Sequence, residues 1–257
     1  MERDGIYKPR ATEILKSYSE AEAGKLRADR NVFDWYEANV PALDGCHVVD
    51  WGAGVGRFVP FYHVRGAARI FLIEPSASAH EALGRAFGGE RDIEIMKAEL
   101  GATIPRAVDR EKTVHFCTFV INCCATLRDG FERLERSVLP GERLYLFTNA
   151  FAPTPVVDRI ASARVEDAIT GTVESLCREF GRPPRSKTFT NQIVESGQTL
   201  TDSVHTVQEL GLAMQSGWAV DALALLLPDG FQHVIQPGED FGDYKFTVVA
   251  AALERRA

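Results

Sequence analysis

Short apolar runs alternate with stretches of helical period through residues 45–150 of the chain. Val48-Val49, Ile70-Phe71-Leu72-Ile73, Ile93-Glu94-Ile95-Met96 and the near-continuous run Thr113 to Ile121 read as strands. Between them, amphipathic segments predict helices at about Val55–Arg65, Ser78–Phe87 and Phe131–Val138. Gly66 and Gly88-Gly89 stop the first two. Ser78 and Glu81 have the spacing of a capping box, and Pro60 fits only the first turn of a helix that starts near Gly56. Leu139-Pro140-Gly141-Glu142 is a turn into a fifth strand. Strands that alternate with helices predict a mostly parallel α/β sheet covered on both faces, which is why the fourth run is apolar almost throughout.

The pattern loosens after Asn149. Residues 155–180 have helix-like stretches, Pro183-Pro184 is a break, and a polar span runs to Thr201. This length is too great for a simple crossover and reads as an inserted cap, 150–205. Thr206 and Glu209 form a second capping box opening a helix to Ser216, and Trp218–Leu227 and Phe246–Leu253 are the last two strands. Residues 1–42 read as an amphipathic helical lid, 43–149 as the core, and 206–257 as a closing helix and strand pair. All belong to one domain of 257 residues.

The most informative stretch is Val48-Val49-Asp50-Trp51-Gly52-Ala53-Gly54-Val55-Gly56. A strand ends on an acid, three glycines follow at alternate positions, and a helix begins. Glycines there permit positive φ and close approach of a ligand to the main chain. Asp50 repels a pyrophosphate and attracts a cationic ligand. One strand-helix-strand unit later, Glu74-Pro75 closes the second apolar run, at the tip of the neighbouring strand.

Asp50, Gly52, Gly54 and Gly56 together resemble the first motif of the class I S-adenosylmethionine-dependent methyltransferases, acid-x-Gly-x-Gly-x-Gly. The turn at Leu139–Leu144 looks like a second hallmark of that family, with Glu142 replacing a glycine. The resemblance implies a Rossmann-like seven-stranded mixed sheet with one antiparallel edge strand. It also implies S-adenosyl-L-methionine as cofactor, held by Asp50, Gly52, Ala53, Gly54 and Gly56 at its methionine end and by Glu74 and Pro75 at its ribose. Glu99-Leu100, ahead of Ile104-Pro105, occupies the place where the family meets adenine, and Asn122 that of the fourth strand tip. Tyr7, Tyr18 and Arg30 are the lid residues that could reach the cofactor. Asn122-Cys123-Cys124-Ala125 lacks the Asn/Asp-Pro-Pro-aromatic signature of adenine and glutamine methylation.

Composition narrows the acceptor. A formal charge of −7 with no basic run counts against DNA, and 45% apolar residues suit a globular core. No run is long and apolar enough to span a membrane. Five cysteines without Cys-x-x-Cys spacing predict reduced thiols in a cytoplasmic protein, with Cys123-Cys124 as buried small side chains. No acid or histidine spacing predicts a metal. A small molecule under the cap is the expected acceptor, with His205 the candidate base and His115 a buried strand residue. Two alternatives stay open: an NAD(P)-dependent oxidoreductase, and a methyltransferase-like protein that binds a nucleoside without catalysis.

Overall fold

The computed structural model describes residues 32–105, 113–124, 126–154, 187–189, 202–215, 217–226 and 244–257. The apolar runs become parallel strands: β1 (His47–Trp51), β2 (Arg69–Ile73), β3 (Ile93–Met96), β4 (Thr113–Thr118) and β5 (Arg143–Pro153), in the order β3-β2-β1-β4-β5. β9 (Tyr244–Arg255) pairs antiparallel with all of β5, and β8 (Trp218–Leu226) pairs antiparallel with β9. The reversed strand therefore lies one place in from the edge, which β8 occupies. Among the described residues the sheet has nine strands, against the seven expected; the additions are β6 (Lys187–Phe189) and β7 (Asp202–Thr206).

Helices cover both faces because alternate strand residues point opposite ways. Val48, Ile70, Phe116 and Phe147 face a helix over 32–39 (α1), α2 (Val59–Val64) and α3 (Ala77–Phe87). Tyr36 of α1 is the hub on that side, with rings of Phe58, Phe61, Phe116 and Phe147 within 5.6 Å and its hydroxyl 2.6 Å from Thr118 Oγ1. Val49, Trp51 and Leu146 face α4 (Leu127–Ser137) and α5 (Val207–Gln215).

Several boundaries differ from expectation. α2 is one turn shorter, because residues 55–58 are consumed by the glycine turn; Pro60 still falls in its first turn. α3 is capped by Ser76, not Ser78, and Glu81 pairs with Arg85 instead of reaching back. β4 stops at Thr118, and Ile121–Cys123 form a 3-10 turn. The capping box at α5 is as expected: Glu209 N–H donates to Thr206 Oγ1, and Glu209 Oε2 accepts from Thr206 N–H at 2.9 Å.

β5 outruns β4. Its edge pairs with β4 as far as Phe147 and with β7 from Ala150, so β7 stands end-on above β4. The side-chain amide of Asn122 fills the gap between them. Its Oδ1 accepts from Asn149 N–H and its Nδ2 donates to Asn149 O, both at 3.3 Å, and Thr148 Oγ1 also donates to Oδ1. One side chain thus replaces the missing rung on β5, just before β7 pairs with that strand at Ala150 and Phe151. The rest of the expected cap lies outside the described residues.

Glu142, the residue that departs from the family turn, is fully buried. Trp51 Nε1–H donates to His115 Nδ1 (3.2 Å), which places the ring proton on Nε2, and that proton is donated to Glu142 Oε2 (2.9 Å). The same oxygen accepts from Leu139 N–H at 2.7 Å. Glu142→Ala removes the acceptor of two hydrogen bonds, from His115 Nε2–H and Leu139 N–H. Stability should fall by about 2–4 kcal/mol, read as a lower midpoint of thermal unfolding, and Glu142→Gln, which keeps an acceptor, should lose less.

Candidate functional site

The glycine turn folds over the tip of β2. Gly52 N–H and Ala53 N–H both donate to Ile73 O, at 2.8 and 3.1 Å. Gly52, Gly54 and Gly56 have φ of +66°, +57° and +81°, a region that a Cβ disfavours. Their bare Cα atoms serve different neighbours. A Cβ on Gly56 would strike Phe87 and lie 2.9 Å from Leu83 Cδ2, and one on Gly52 would strike Val120. A Cβ on Gly54 would meet nothing within 4 Å. Gly54 is thus the glycine with open space at its Cα, while Gly52 and Gly56 have no room for a Cβ.

Glu74 is built into this turn. Its Oε2 accepts from Gly54 N–H and its Oε1 from Ser76 N–H, both at 2.8 Å. Burial raises its pKa and these two bonds pull it back. Pro75 beside it is exposed.

Asp50 sits one residue before the end of β1, on the face shared with α1 and α2, and is only 2% exposed. Neither its Oδ2 nor the hydroxyl of Tyr62 has a hydrogen-bond partner. Burial pushes the Asp50 pKa up to about 7; the nearby Tyr62 hydroxyl and Arg57 lower it, and Glu74 raises it. Tyr62 thus acts on the carboxyl without a bond of normal geometry. Neither Tyr62 nor Arg57 is marked by the sequence pattern, since both read as ordinary helix residues.

The other expected residues divide. Glu99 is exposed and paired with Arg133 Nη1 at 2.9 Å, where Asp129 also binds that guanidinium. Leu100 is buried against the α4 side. The Asn122 amide is engaged by Asn149 and Thr148. Tyr7, Tyr18 and Arg30 lie outside the described residues. His205 is on β7, opposite Ala150, 6% exposed, with Nε2 unpartnered. Burial lowers its pKa and Glu209 partly restores it. Cys123 is exposed, contrary to the expectation of two buried thiols. Cys124 is half-buried, and burial pushes its pKa up to about 11.

At the other end of the strands, His63 Nε2 lies 2.9 Å from Asp92 Oδ2, with Glu90 completing a set of donors within 4.8 Å of one another. This is the one such set among the described residues, and its members are too far apart in sequence for spacing to reveal it.

A Rossmann-like sheet with a reversed strand next to its edge, and an acid-glycine turn at the tip of β1, is the fold of the class I S-adenosylmethionine-dependent methyltransferases. Solved structures similar to the chain bear this out. A methyltransferase from Mesorhizobium loti has a TM-score of 0.52 at 16% identity, covering 89% of this chain and 98% of that one. Geranyl diphosphate C-methyltransferase from Streptomyces coelicolor, solved with S-adenosyl-L-homocysteine, has a TM-score of 0.53 at 16% identity, covering 90% and 77%. A SAM-dependent methyltransferase from Leishmania major has 0.52 at 14%, covering 98% and 82%. No protein-family model and no curated protein matches the chain.

Two outcomes follow from the turn. Gly54→Ala should cost about 1–2 kcal/mol, the strain of a left-handed backbone alone, whereas Gly56→Ala should unfold at lower temperature because it adds a clash with Phe87. For Asp50, a folded pKa above the unfolded value of 3.8 means that the native state holds its proton longer. Stability from this group is then lost as pH rises from about 4 to 7. Asp50→Asn should therefore melt a few degrees above the wild type at pH 8, roughly 2–4 °C per kcal/mol, with the gain absent at pH 4.

Proposed function

We propose that this chain is an S-adenosylmethionine-dependent methyltransferase that acts on a small-molecule acceptor. The carrying observation is the buried carboxyl of Asp50, whose Oδ2 lacks a bond of normal geometry, at the strand end four residues before the open backbone of Gly54. An ammonium group satisfies such an oxygen and restores its charge; a pyrophosphate adds repulsion. Glu74, held by Gly54 and Ser76 at the next strand tip, is the acid we assign to the ribose hydroxyls. These residues fit the cofactor, whose sulfonium supplies an activated methyl group for in-line displacement. The protein's part is to hold donor and acceptor in attack geometry. His205, with an unpartnered Nε2 on the strand beside the end of β5 and a pKa lowered by burial, is the group we assign to take a proton from an acceptor hydroxyl or amine.

Calorimetric titration with S-adenosylmethionine, S-adenosylhomocysteine and NAD tests the cofactor. We expect the first two to bind and NAD not to, and Glu74→Ala to weaken both by about tenfold or more with circular dichroism unchanged. Binding of NAD alone would establish the oxidoreductase alternative. Cofactor binding with no methyl transfer to any of a panel of phenols, amines and carboxylates would favour the non-catalytic one.

A further inference from the structure

Between β4 and the 3-10 turn stands a residue with a backbone conformation that its side chain disfavours. Phe119 has φ of +60°, the one non-glycine residue in the left-handed region among those described. Its N–H is tied to Phe147 O at 2.8 Å, and its ring packs edge-on to Phe147 with centroids 6.3 Å apart, so both its main chain and its side chain are held to β5. Strain of this kind persists only where surrounding contacts enforce it.

What the kink delivers is Val120. Its Cγ2 occupies the space where a Cβ on Gly52 would stand, with Cγ1 and Cβ 3.2 and 3.3 Å from that point. Gly52 leads into the turn whose Gly54 N–H is bound by Glu74, two residues after Asp50. One wall of the turn is thus a side chain from a strand tip 68 residues further along the chain, the separation of 52 and 120.

We infer that Val120, brought into place by the left-handed backbone of Phe119, is a positioning residue that sets the shape of the cofactor turn. It acts through Gly52 and touches no reacting atom. The wedge presses on the bare Cα, fixes the path of residues 52–54, and so fixes how Gly54 and Asp50 meet the amino-acid end of the cofactor. This inference rests on the cofactor assignment above.

Titration of S-adenosylhomocysteine into wild-type and variant proteins tests it, with thermal unfolding to confirm that each variant is folded. Val120→Ala and Gly52→Ala should each weaken binding, by about tenfold for either. The double variant should bind tighter than the product of the two losses, because Val120→Ala removes both Cγ atoms that collide with a Cβ at 52. A second pair separates backbone from side chain. Phe119→Asn suits a left-handed backbone and should hold its affinity within about threefold, whereas Phe119→Val, apolar but β-branched, should lose about tenfold. Multiplicative losses in the cycle, or Phe119→Val binding as well as Phe119→Asn, would overturn the wedge while leaving the cofactor assignment standing. A wild type that binds no S-adenosylhomocysteine would remove both.

Discussion

A carboxyl group shut away from water without a partner is costly, and the cost is removed by neutralising it or by bringing a cation to it. Asp50 comes close to that position: it is 2% exposed, its Oδ2 has no bond of normal geometry, and Tyr62 and Arg57 offset only part of the burial. The residues around it make sense as its setting: Trp51 is anchored from behind by His115, and Glu74 clasps the turn that follows. Tyr36 and Tyr62 seal the face on which the carboxyl lies. The deficit is local, because the unsatisfied hydroxyl of Tyr62 lies next to the carboxyl. A ligand that brings positive charge there relieves it.

The sheet supports this arrangement by extending one strand beyond its neighbours. β5 rises past β4 and is flanked there by β7, so the region above the turn is walled by β-structure instead of a free loop. Phe119 and Asn122 both belong to the short link after β4, and they face different tasks. Phe119 turns the chain toward the glycines, and Asn122 ties it to β5. A link of a few residues therefore joins the glycine turn to the part of β5 that pairs with the strand carrying His205.

Much of the core is legible in the sequence because it is written in local signals. The strand runs, the Thr206–Glu209 box and the acid-glycine turn all depend on neighbours in sequence, and all are where the pattern places them. The cap of α3 is not legible in this way. Ser76 and Ser78 are equally good residues for the role, and only the path of the chain after Pro75 chooses between them. Glu99 and Asn122 have side chains engaged by Arg133 and Asn149, partners that no sequence spacing indicates. β6 and β7 leave little trace in the pattern because one has three residues and the other pairs with β5 through only two positions. The division of labour among the three glycines is a property of Val120, Phe87 and Leu83, not of the motif.

The Asn122 splice has a consequence for how such a molecule can diversify. The described hairpin pairs with the core sheet at two backbone positions, Ala150 with His205 and Phe151 with Thr206, so few of its backbone bonds tie it to the strands below. Exchange of that module would leave the order β3-β2-β1-β4-β5 and the acid-glycine turn untouched, so the edge above β4 can change while the core sheet stays fixed.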